Sequence, residues 1–162
     1  MQNLGEAPQL IQFFQTSAAA QFMRGEKWRY PAVEILHLAG LILVFGSVFV
    51  LNLRIFGRVL RPVPVEEVAR VLAPITLAGL SIQVLTGPLL FIASAARFYT
   101  SVPFWTKIAL LAAALAYHFF VHRPLAFRGK TPLSKMRLSA ALSMILWAGV
   151  VLAGLAIELL AG

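Results

Sequence analysis

The chain contains no cysteine and no aspartate, and only six glutamates and three histidines among its 162 residues. Without cysteine there are no disulfides, thiolate metal sites or iron–sulfur clusters. Six scattered carboxylates do not make the oxygen-rich sites that calcium or paired metals need. A polar domain is missing too. Hydrophobic residues make up 60% of the chain, against about 45–50% in soluble globular domains, and the mean hydropathy is +0.84. The net charge is +8, but the basic residues sit in short clusters between apolar runs. Nucleic acid would require a basic face on a polar domain, so it is not an expected partner. The composition is that of a small polytopic membrane protein, whose first partner is the lipid bilayer.

Four apolar runs are long enough to cross a bilayer, which takes about 20 residues per helix. They fall near Pro31–Leu53, Leu72–Ala95, Pro103–His122 and Arg137–Leu159. The fold class read from them is all-α, an integral-membrane four-helix bundle over residues 31–162. Residues 1–30 form a separate N-terminal segment. Within it, Leu10, Phe14, Ala18 and Phe22 recur every four residues, so residues 8–24 read as one amphipathic helix. Such a helix lies on a membrane surface or packs on a partner subunit. Connections 1–2 and 3–4 carry nine basic residues: Arg54, Arg58, Arg61, Arg70, Arg123, Arg128, Lys130, Lys135 and Arg137. The opposite side carries five, Arg24, Lys27, Arg29, Arg97 and Lys107. Basic residues favour the cytoplasmic side, so a multi-pass inner-membrane protein with both termini on the periplasmic side is expected.

Polar groups inside spans are costly and usually face the bundle interior. Each span has one such stripe. The first holds Glu34, Leu41, Phe45, Val48 and Asn52, with His37 beside it, and the second Thr76, Gln83, Gly87 and Ser94. The third holds Lys107, Leu111, Ala114 and His118, and the fourth Ser143, Trp147, Val150, Gly154 and Glu158. Close helix packing accounts for small residues such as Gly79, Ala112, Ala116, Ser139 and Gly154. It does not account for Glu34, His37, Gln83, Lys107 or His118. Glu34, His37, Lys107 and Glu158 all fall near the outer ends of their spans, as a polar cluster. "LTGPLL", residues 85–90, predicts a kink in the second span at Pro88.

At about 1.5 Å per residue, His37 and His118 differ in depth by about 13 Å. A simple sandwich of one haem iron between them is disfavoured unless the helices are shifted. His118 and His122 have the i, i+4 spacing that chelates one metal from one helix face, but no carboxylate is near to complete the site. His122 adjoins Arg123–Pro124 and reads as the cytoplasmic end of its helix. For His118, a functional contact and a satisfied buried histidine both remain open. Met144, in the inner half of the fourth span, is a soft candidate ligand, although packing explains it as well.

Two segments carry a family resemblance. "EILHLAGLILVFGSVFVLNLRIF" has an early histidine followed by a glycine, and "FWTKIALLAAALAYH" places Lys107 eleven residues before His118, with Tyr117 adjacent. Both resemble the four-helix membrane proteins that include the J-type bacterial protoporphyrinogen oxidases and copper-resistance protein D. "TGPLLF" in the second span is a looser match. The resemblance implies haem b or porphyrin binding, with His37, Lys107, Tyr117 and His118 as cofactor-binding residues and His37 and His118 as candidate iron ligands. The chain departs from the pattern in lacking a tryptophan midway along the first span, in its His37-to-Gly46 spacing and in its added amphipathic start. The fold and a haem site therefore carry over, and the oxidase reaction does not. The leading expectation is a bacterial inner-membrane haem b protein in electron transfer, with a quinone or redox protein as partner. A non-catalytic subunit or scaffold, in a homo- or hetero-oligomer, and a metal-handling or transport protein are the alternatives. No complete catalytic constellation is visible.

Overall fold

The computed structural model describes residues 8–127 and 131–160. Every regular element among them is helical. Two short helices, α1 (Gln9–Thr16) and α2 (Ala18–Gly25), precede α3 (Arg29–Ile55) and α4 (Val65–Ala93). A short α5 (Ala95–Phe98) leads to α6 (Val102–Tyr117). This continues through a π-helical turn, His118–His122, into α7 (Arg123–Phe127), and α8 (Leu133–Leu160) closes the chain. Four helices are long and apolar enough to cross a membrane: Arg29–Ile55, Val65–Ala93, Val102–Phe127 and Leu133–Ile157. Helices α3 and α4 form one close pair, α6 and α8 a second, and α3 joins the pairs through α8. This is a membrane-type helical bundle.

The amphipathic start differs from its expected form. Ser17 adopts extended backbone and its hydroxyl caps Ala20 N–H, so one helix becomes two. The buried residues are Ile11, Gln15, Ala20 and Met23, while Leu10, Ala18 and Phe22 face outward. The Arg24 guanidinium ties the two helices to the bundle by donating to the Gln15 and Ala93 carbonyls.

Helix ends follow local chemistry. Pro64 caps α4, and Glu66 and Glu67 sit in its first turn, where the helix dipole favours anions. The helix therefore begins two turns before the apolar run does. Helix α3 ends in a Schellman motif: Gly57 N–H donates to the Arg54 carbonyl and Arg58 N–H to that of Leu53, both at 2.9 Å. Gly57 takes the left-handed φ of +71° that this closure requires. The third span runs five residues beyond His122, across Pro124. A proline ring collides with the carbonyl four residues back in a regular helix. Here Arg123 N–H donates to His118 O, five residues back, and the wider π turn accommodates the proline.

The core has two parts. Val44, Val48, Ala114, Trp147 and Val150 fill the middle of the bundle. Leu51, Ile55, Val68, Ala69, Ala126, Met136 and Ala140 fill the end that carries most of the basic residues, called here the basic end. The other end carries α1 and α2. Gly40 and Gly79 set the α3–α4 distance, since a Cβ on Gly79 would stand 2.7 Å from the Gly40 carbonyl oxygen.

Candidate functional site

The sequence-predicted polar residues fall into two groups at different levels. The first lies toward the α1–α2 end. His37 projects from α3 toward α4, where its Nδ1 meets Thr86 Oγ1 at 2.7 Å. Thr86 Oγ1 lies 2.6 Å from the Ile82 carbonyl oxygen and donates to it. Two oxygens that close need the proton between them, and a hydroxyl has only one. Thr86 therefore accepts from His37, and His37 is the Nδ1–H tautomer with its Nε2 lone pair free to accept. Gln83 donates to the His37 carbonyl at 2.6 Å and anchors the same turn. The ring lies against Gly87, where a Cβ would stand 3.4 Å from His37 Cε1, in van der Waals contact. Lys107, on α6, lies along Gly154 of α8, its Nζ 3.6 Å from where a Gly154 Cβ would be. The Glu158 side chain, expected in this cluster, lies outside the described residues.

The second group lies toward the basic end, inside the bundle. His118 is 6% exposed and His122 only 1%. The π turn holds their ring centroids 5.9 Å apart. Tyr117 donates its hydroxyl proton to Ser139 Oγ at 3.0 Å, and Ser139 Oγ meets His122 Nδ1 at the same distance. His122 is thus not the solvated end of its helix but part of a buried network with α8. Asn52, fully buried, donates to Ser143 at 3.4 Å, and Ser47 bonds Thr76 at 2.8 Å. His118 Nδ1, His122 Nε2, Asn52 Oδ1 and Trp147 Nε1 have no hydrogen-bond partner among the described residues. A cavity of about 20 Å³ runs beside His118, Ser47, Thr76 and Arg123, enough for one water.

His37 and His118 do not come together. His37 rests on Thr86, whereas His118 shares its cavity with Thr76, ten residues or about 15 Å along α4. Among the described residues no three His, Cys, Asp or Glu side chains cluster as a metal site. Thr86 and Ser47 were not singled out from sequence, although Thr86 lies one turn from Gln83 on the same stripe. Ser139, read as a small packing residue, is the hub of the buried network. Ala112 and Ala116, read the same way, face outward.

No curated protein and no solved structure matches the chain. Residues 30–159, which span all four long helices, match the family described as "Family of unknown function (DUF6644)". With that much of its length covered, the chain belongs to this family.

Proposed function

We propose that the protein binds haem b or a porphyrin at the His37 level of its bundle, as a membrane redox carrier exchanging electrons with a quinone or a redox protein. The observation that supports this most is the His37–Thr86–Ile82 relay. Histidines that ligate metals almost always donate their second ring N–H to a fixed acceptor, which sets the tautomer and orients the ring. His37 has that arrangement, with Nε2 left as the ligating atom. The Lys107 ammonium suits a propionate carboxylate. Bound haem would supply one-electron chemistry.

The surroundings of His118 do not fit such a group. Cofactor clefts span about 300–1,000 Å³, against about 20 Å³ beside His118. Tyr117 and His122 are held by Ser139 in the bundle's internal network, and His37 and Lys107 are taken as the cofactor's residues on the strength of the His37–Thr86 geometry. The excess of basic residues at the other end supports an orientation with the α1–α2 end on the periplasmic side of a bacterial inner membrane.

A pyridine haemochrome assay on protein expressed with haem precursor tests the reading. About one haem per chain is expected, with loss of the Soret band in His37→Ala. Thr86→Val should keep the haem but shift its spectrum. Haem-free protein, or a stoichiometric partner protein without chromophore, would overturn it.

A further inference from the structure

The geometry points to a binding site for one acidic phospholipid at the basic end, between the last turn of α3 and the first turns of α8. An open cleft of about 410 Å³ lies there, lined by Leu53, Phe56, Arg58, Arg137 and Met144. Its composition is graded. Arg58 follows α3 and Arg137 lies in the second turn of α8, at the mouth. Met144 lies seven residues further along α8, about 10 Å deeper into the membrane-spanning part. Leu53 faces the cleft from the last turns of α3. A phosphate between two guanidiniums with an acyl chain along Leu53 and Met144 matches that gradient, and basic clefts between membrane helices bind acidic lipid head groups.

The neighbouring arginines show why these two are available. Arg54 donates to the Val63 and Arg61 carbonyls, and Arg61 to that of Gly57, so both are spent on closing the α3–α4 connection. The guanidiniums of Arg58 and Arg137 belong to exposed residues and make no hydrogen bond to another described residue. The Schellman closure at Gly57 fixes where Arg58 leaves the helix. The occupant is a lipid rather than a soluble anion because the apolar depth of the cleft lies within the spans.

The test is native mass spectrometry of the full chain released from nanodiscs of phosphatidylcholine with phosphatidylglycerol. Wild type should retain one phosphatidylglycerol per chain in preference to phosphatidylcholine. At about fivefold per arginine near a membrane surface, Arg58→Gln with Arg137→Gln should lower that preference roughly 30-fold. Met144→Trp, which fills the cleft and keeps both charges, should also lose the lipid. Arg70→Gln, which removes an exposed arginine elsewhere, should not. Wild type without preference, a double variant equal to wild type, an equal loss in Arg70→Gln, or displacement of the lipid by inorganic phosphate would each overturn the assignment.

Discussion

One hydroxyl, that of Ser139, holds two aromatic side chains of the neighbouring span. Its removal in Ser139→Ala leaves the Tyr117 hydroxyl and His122 Nδ1 without that partner inside the bundle. The expected cost is about 1–3 kcal/mol, the usual penalty for a buried polar group stripped of its bond. Unfolding in mixed detergent micelles measures it, and a variant as stable as wild type would remove Ser139 from the centre of the network. At His37 the position of one proton is decisive. In ¹⁵N spectra of histidine-labelled protein, neutral His37 should carry its proton on Nδ1, and Thr86→Val should mix the two tautomers. A single Nε2–H form in wild type would contradict the relay. The histidine pair 118 and 122 was only half legible in sequence. Its spacing was visible, but the Arg123–Pro124 step reads as a helix end because proline cannot donate. The π turn that carries the helix across Pro124 depends on a five-residue hydrogen bond that no sequence spacing announces.

At the scale of elements, two glycines of the first pair of long helices behave oppositely. A Cβ on Gly79 would meet backbone and side-chain atoms of α3 at 2.7–2.9 Å. Gly79→Ala should push α3 and α4 apart and cost about 1–3 kcal/mol. Gly46, on α3, has nothing within 4 Å of its Cβ position. Gly46→Ala should be neutral, or stabilising by up to about 1 kcal/mol through helix propensity. Thermal unfolding of both variants in one detergent checks the contrast, and equal effects would refute the close crossing. The inward stripes of the long helices were readable because helical periodicity puts residues three and four apart on one face. Thr76, His118, Ser143 and Trp147 are all buried. The start of the chain was less readable. A four-residue recurrence in 8–24 suggested one helix, but the Ser17 cap bends the chain, and each half then turns its own residues inward.

Seen whole, the molecule keeps large apolar side chains on its outside. Ile42, Val84, Leu85, Phe120, Leu138, Ile145 and Leu152 are among those exposed. In water this surface would drive aggregation; against lipid tails it costs nothing. A cysteine-free chain also suits labelling, since any introduced cysteine is unique. Thr100 and Ser134 lie in or beside connections at opposite ends, and both are exposed. In intact cells a membrane-impermeant maleimide should label Thr100→Cys, and Ser134→Cys only after permeabilisation. The reverse pattern would invert the proposed orientation.

Composition and periodicity by themselves determined the all-α class, the four spans, the face each span turns inward and the separation in depth of His37 from His118. These follow from the bilayer's thickness and the helix repeat, which are properties of the solvent and the backbone and need no knowledge of contacts. Only the tertiary structure decided which polar atoms meet. The pairing of His37 with Thr86, the sharing of Ser139 by Tyr117 and His122, and the arginine-lined cleft between α3 and α8 join residues up to 91 positions apart. Such contacts depend on helix rotation and register within the bundle, and those are set by how side chains interlock across several helices at once.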